Sequence, residues 1–392
     1  MSTLSATAQM SSTSVREKAE SIPMLVWATA IASVCIATGL YWDISWHETI
    51  GRDSFWTPAH LLIQFGALMG AFSSAWVIMR TTFGADEEAR AGSVNVLGFR
   101  GPLGAFIAAW GGGAMLTSAP FDNWWHEAYG LDVKIISPPH MLLALGIAGI
   151  MWGGAILTIS YFNRAAGEQR TSLQRMLLFV GGFVIIQAMT LKLEYTNRVL
   201  LHSAISYLVV SIGTLLIMEG LARASGHRWA RTIMTGVYSA FVLILMWVLP
   251  LFPARPKLGP VYQDITHMVP LPFPILLFVP ALLLDLVWPI FKESPKWQQA
   301  LFGGVTFLSV LIAVEWPFAT FLMSPAARNP FFATIDFPYF ALPTSPTVRH
   351  IFVHWEQSPS QFWTNMGIAF VLSVASMWIG TYWGEWLKRV KR

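Results

Sequence analysis

The chain has 392 residues, 55% of them hydrophobic and only 12% charged. A soluble domain of that length has no use for so much apolar surface, whereas a helix bundle in lipid does. The formal charge of +4 and a pI near 9.2 do not mark a nucleic-acid partner, because the basic residues sit in short loops between apolar runs and set topology there. The single cysteine, Cys35, lies inside the first apolar run, which excludes internal disulfides and thiolate metal clusters.

In chain order, residues 1–22 are rich in Ser and Thr, carry Arg16 and Lys18, and read as a disordered cytoplasmic tail. Ten membrane helices are expected, at 23–42, 57–80, 98–118, 138–162, 173–191, 199–222, 230–252, 271–291, 298–323 and 363–385. Each is near the ~20 residues a bilayer requires. With the amino terminus inside, 17 of the 25 basic residues fall on the inner side, and Lys388-Arg389-Val390-Lys391-Arg392 anchors the end there. The expected fold is an all-α polytopic bundle in a bacterial-type inner membrane, with both termini cytoplasmic. Residues 23–165 read as a duplicated four-helix unit and 166–392 as a six-helix region without an assigned role.

Eight of the nine histidines then face outward, and six of the polar positions there form a repeated pattern. The first outer loop reads Asp43-Ile-Ser-Trp46-His47-Glu48, then Gly51, Asp53, Pro58 and His60. The second reads Asp122-Asn-Trp-Trp125-His126-Glu127, then Gly130, Asp132, Pro138 and His140. Gly66 and Gly146 follow at the same offset in the next helix. An even number of helices separates the copies, so the repeat is parallel.

Asp43 and His47, like Asp122 and His126, are four apart, which places a carboxylate and an imidazole on one face of a helix. Thr-Pro-Ala-His60 and Ser-Pro-Pro-His140 are helix-start signals, a hydroxyl cap followed by Pro in the first turn. Each set offers two imidazoles and one carboxylate, donors that suit copper, zinc or Fe(II) and leave positions open. Glu48, Asp53, Glu127 and Asp132 are candidates to orient the imidazoles from behind, or else solvated loop charges. Trp46 and Trp125 read as interfacial anchors.

These residues resemble the C subunit of the copper membrane monooxygenases, the particulate methane and ammonia monooxygenase family. That subunit binds copper through a carboxylate, a His four residues on and a His thirteen further, as Asp43, His47 and His60 are spaced. Its second copper position has Asn, a His four on and a His fourteen later; Asp122, His126 and His140 keep that spacing with Asp122 in place of Asn. The resemblance covers roughly residues 25–165. The family's C subunit is shorter than this chain, and nothing here resembles the cupredoxin-like domains its enzymes also need. Glu315-Trp-Pro through Asp336 and the last helix are faintly similar to the family's A subunit.

The resemblance implies a membrane monooxygenase subunit that uses copper and O₂ on a small apolar substrate, beside lipid, other subunits and an electron donor. Two alternatives share the ligands: a copper-handling protein for uptake, storage or assembly, and a membrane hydrolase with a zinc-activated water. Elsewhere, His350, His354 and the adjacent Glu356 would form a third metal set if their stretch were helical. Asp264 and His267 are a weaker candidate pair. Glu194 and Arg198 are expected to pair at i, i+4 in the turn that also holds Lys192, Asn197 and His202. Glu315 is expected to hydrogen-bond within the bundle, and His227 to belong to a juxtamembrane cation cluster with Arg223, Arg228 and Arg231.

Overall fold

In a computed structural model of the chain, residues 22–51, 54–130 and 137–392 are described. The expected tail and the carboxylates Asp53 and Asp132 lie outside those residues. The described chain is a helical bundle with one short antiparallel hairpin, Val94–Val96 against Phe99–Gly101. Eight helical segments are long and apolar enough to cross a membrane, as a multi-pass membrane protein requires.

They begin with α1 (Met24–Thr49) and α2 (Pro58–Phe83), followed by the short α3 (Glu87–Ala91) and by α4 (Leu103–Tyr129) and α5 (Pro138–Phe162). Next come α6 (Gly167–Thr190), the α7 (Ala204–Ser211) and α8 (Thr214–Ser225) halves of one span, and α9 (Ala230–Val248). The chain ends with α10 (Phe278–Phe291), α11 (Lys296–Leu322), the single turn α12 (Pro346–Arg349) and α13 (Pro359–Leu387). Of the ten expected spans, α4 is long but less apolar than the eight, and α10 is short.

The faces of α2 show what packs this bundle. Phe65, Leu68, Phe72 and Trp76 form an exposed stripe, while Ile63, Gly66, Ala67, Gly70 and Ser74 are buried. Large apolar groups face outward and small ones allow helix backbones to approach, the pattern expected where lipid is as apolar as the core. A Cβ on Gly66 would stand 2.9 Å from the Ala32 carbonyl oxygen of α1, and one on Gly146 2.7 Å from that of Gly111 in α4. Both glycines at the repeated offset therefore seat a helix against the one before it, α2 on α1 and α5 on α4.

The expected helix at 271–291 is a correction. Pro270, Pro272 and Pro274 alternate, each removing a backbone donor and turning its predecessor away from helical geometry. Residues 268–276 are instead non-helical, and Met268, Val269, Leu271 and Ile275 are buried among the helices. Irregular backbone at such depth is tolerated only where protein satisfies its polar groups. Here side chains do so: Thr49 Oγ1 accepts the N–H of Val269, Tyr238 Oη that of Ile275 and Glu315 Oε2 that of Leu276. The expected hydrogen bonding of Glu315 is thus observed.

Candidate metal centre

Two pairs of antiparallel helices carry the repeated residues. α1 runs through Asp43 and His47 to Thr49, beyond the expected end at 42, and α4 runs through Asp122 and His126 to Tyr129, beyond the expected end at 118. Each carboxylate and the imidazole four residues on therefore lie on one helical face. α4 continues past Pro120 and stops where Gly130 adopts φ +87°. The partner histidine of each set sits in the first turn of the following helix. Thr57 Oγ1 accepts the N–H of His60 at 3.4 Å and Ser137 Oγ that of His140 at 3.5 Å, with Pro in each first turn.

The three side chains of each set meet. In the first, Asp43 Oδ2 is 3.8 Å from His47 Nε2 and Asp43 Oδ1 is 3.2 Å from His60 Nε2. In the second, Asp122 Oδ2 is 3.4 Å from His126 Nε2 and Asp122 Oδ1 is 3.6 Å from His140 Nε2. Every contact uses Nε2, and in both sets the carboxylate stands between the two rings with one ring on each oxygen.

Backbone carbonyls hold two of these rings. His60 Nδ1 is 3.1 Å from the Ser54 carbonyl oxygen, and His126 Nδ1 is 3.2 Å from that of Gly130. A carbonyl only accepts, so in a neutral ring Nδ1 carries the proton and Nε2 turns a lone pair to the carboxylate, whereas a protonated ring donates from both nitrogens. Two lone pairs do not attract; a proton or a cation between them is required. Asp43 Oδ1 and Asp122 Oδ1 are both buried and accept no hydrogen bond among the described residues, an arrangement that costs free energy unless a cation faces them.

The donor types and the two orphaned oxygens fit a metal ion, with a rearrangement. Among the described residues, no three His, Cys, Asp or Glu side chains are already arranged to hold one. Of the carboxylates expected behind the rings, Asp53 and Asp132 lie outside the described residues, and neither Glu48 nor Glu127 hydrogen-bonds a ring among the described residues. Glu127 is exposed and accepts from Asn123 Nδ2 at 2.8 Å, and Glu48 makes no hydrogen bond among the described residues. The carbonyls of Ser54 and Gly130, invisible in a sequence pattern, orient the imidazoles instead.

The expected third set is not assembled as the sequence suggested. His350 ends α12 with φ +51° and residues 351–354 are not helical, so His350 and His354 share no helical face. Burial, with Arg198 and Arg328 beside it, pushes the His350 imidazole down to about 4, surroundings that repel a cation. Glu356 is committed to the backbone N–H groups of Ala204 and Ile205. His267 pairs with Asp336 at 3.3 Å and not with Asp264.

The expected Glu194–Arg198 pair is also absent among the described residues, because two separate three-residue turns replace the helix that would align them. Arg198 donates to the Ala333 carbonyl instead. His202 is stacked between Trp316 and Phe352, at centroid distances of 4.2 and 3.7 Å, with Nε2 3.0 Å from the Trp316 carbonyl oxygen.

No protein-family model, curated protein or solved structure matches this chain. Its chemistry rests on its own residues.

Proposed function

We propose that the chain is the metal-binding membrane subunit of a copper-dependent monooxygenase-like complex. Asp43, His47 and His60 hold one ion, and Asp122, His126 and His140 hold a second. The observation that carries this reading is the buried Oδ1 of Asp43 and of Asp122, each accepting no hydrogen bond among the described residues while an imidazole Nε2 faces it. One such contact is a common ion pair. Two, built from the same residues at matching helix ends, favour one shared purpose.

Two imidazoles and a carboxylate leave open positions on copper, zinc or iron, and the resemblance of the spacing favours copper. Bound copper would supply O₂ activation for oxidation of a small apolar molecule. The chain's residues hold their rings for that ion: Ser54 and Gly130 fix His60 and His126, and the Thr57 and Ser137 caps fix the helix starts that carry His60 and His140. Electrons and any further domains come from partner subunits. The sites face the outer side of a bacterial-type inner membrane, and the Lys- and Arg-rich face, with both termini, is cytoplasmic.

Quantitative metal analysis of the detergent-purified protein tests this, with wild type beside His47→Ala and His126→Ala. Copper near one or two per chain, with each substitution removing one site's share, supports the proposal. Zinc in the same pattern redirects it to a metal-dependent hydrolase. No metal after loading with Cu(I) makes both sets structural ion pairs and ends it.

A further inference from the structure

On the face opposite the Asp/His/His sets, a pocket of about 620 Å³ opens between the ends of α8, α10 and α13 and the start of α9. That volume lies within the range of about 300–1,000 Å³ usual for ligand sites. Five of its lining residues are cationic, Arg223, Arg228, Arg231, Lys292 and Lys388, the last paired with Glu385 at 2.9 Å, and one is a carboxylate, Asp285.

The floor is buried and its charges are paired. Glu219, Arg231 and Asp285 are at most 4% exposed. Arg231 donates to Glu219 at 2.6 Å and to Asp285 at 2.8 Å. Arg223 donates to Glu219 and Gln299. Both guanidinium groups lie over Trp288, at 4.1 Å for Arg231 and 5.1 Å for Arg223.

The rim is different. Arg228 is exposed and has no carboxylate partner among the described residues, and Lys292 reaches only its exposed neighbour Glu293 at 3.7 Å. The paired floor thus consumes the pocket's acids and leaves an excess of donors at the mouth. Apolar surface adjoins it, since Ile290, next to the lining Pro289, is 81% exposed and Trp386, two residues before Lys388, is half exposed. Basic pockets between membrane helices recognise anionic lipid head groups through this combination.

We propose that this pocket binds a phosphate group, carried by an anionic phospholipid whose acyl chains lie along α10 and α13, with Arg228 and Lys292 as its principal cations. The same oxyanion chemistry serves free phosphate, so the test separates the two sources. The full chain in neutral detergent is titrated with phosphatidylglycerol, with phosphatidylcholine, and with inorganic phosphate against chloride at equal ionic strength. The readout is the shift in unfolding temperature, alone and for Arg228→Ala/Lys292→Ala. Lys391→Ala/Arg392→Ala removes the same charge outside the pocket. Both altered pairs are on the surface, and the unliganded unfolding temperature checks their folding.

The expected result is a saturable stabilisation by phosphatidylglycerol, none by phosphatidylcholine, and no effect of inorganic phosphate. The pocket pair weakens it on the order of 25-fold, from roughly 5-fold per surface cation, while the terminal pair leaves it in place. A saturable shift by inorganic phosphate, lost in the pocket pair, keeps the phosphate site and makes its ligand soluble. Equal effects of the two lipids, or equal weakening by the two altered pairs, reduce the pocket to diffuse surface charge and overturn the proposal.

Discussion

Thr49 Oγ1 accepts the backbone N–H of Val269 at 2.7 Å, while Ser45 Oγ, one turn earlier on α1, donates to the Val269 carbonyl at 2.6 Å. Between them they take the place of a strand partner for one buried residue, within two turns of Asp43 on α1. Thr49→Val keeps the shape and removes the acceptor, leaving a buried N–H unsatisfied at a cost of about 1–3 kcal/mol. Equilibrium unfolding in mixed micelles should show that loss. Ser45→Ala combined with it should be non-additive, because both act on one peptide unit. Strict additivity would mean that residues 268–276 are held by packing alone.

Gly111 and Gly146 set the distance between α4 and α5. A Cβ on Gly111 would stand 2.6 Å from both the Gly146 carbonyl oxygen and the Ile150 nitrogen, whereas one on Gly113 meets nothing within 4 Å. Gly111→Ala should therefore cost about 1–3 kcal/mol, as overpacked sites do, and should loosen metal retention by Asp122, His126 and His140 more than by the Asp43 set. Gly113→Ala is the matched control, and unfolding temperature with metal content per chain are the readouts.

Arg231 bridges two buried carboxylates: Glu219, which Arg223 also reaches, and Asp285, which also accepts from Thr232. Arg231→Met leaves Asp285, 1% exposed, without its cation and Glu219, 0% exposed, with Arg223 alone, and should destabilise by about 3–5 kcal/mol. Adding Glu219→Gln and Asp285→Asn should recover most of that loss, since neutral amides need no countercharge. If the triple variant is as unstable as the single one, shape and not charge is what Arg231 provides.

Burial pushes the Lys192 ammonium, outside the spanning segments, down to about 8 from the 10.5 of a free lysine. It donates to the Ile212 carbonyl at 2.7 Å and to Thr214 Oγ1 at 2.5 Å. With the folded value below the unfolded one, the unfolded chain holds more protons between about pH 8 and 10.5. Stability contributed by this residue therefore rises across that window. Unfolding temperature measured from pH 7.5 to 10.5 should show that component, and Lys192→Met should remove it.

Much of the first four membrane helices was legible because period and spacing are local properties. A carboxylate and a His four apart can meet only on a helix, and Thr57-Pro58 and Ser137-Pro138 announce helix starts whatever surrounds them. The interior ion network was also written in the sequence, as Glu219 and Asp285 inside apolar runs, where an unpaired acid is costly. Reading Arg231 as part of a surface cluster hid their partner. The Pro270-Leu-Pro-Phe-Pro274 run was absorbed into a hydrophobic window, although three alternating prolines forbid a helix. What could not be read is long-range: nothing near Val269 indicates that α1 will satisfy its backbone, and nothing near His60 names the Ser54 carbonyl.

The short α10 bears on how the protein is made. At 14 residues it is about 21 Å long, less than the ~30 Å of a hydrocarbon core, so it is a poor substrate for insertion on its own. Across the turn at 292–295 it packs against α11, the long apolar helix that follows it. Residues 268–276 can then leave water only when Thr49, Tyr238 and Glu315 are in place to receive their N–H groups. About two thirds of the chain is synthesised before this segment, so Thr49 and Tyr238 precede the residues whose N–H groups they receive while Glu315 follows them.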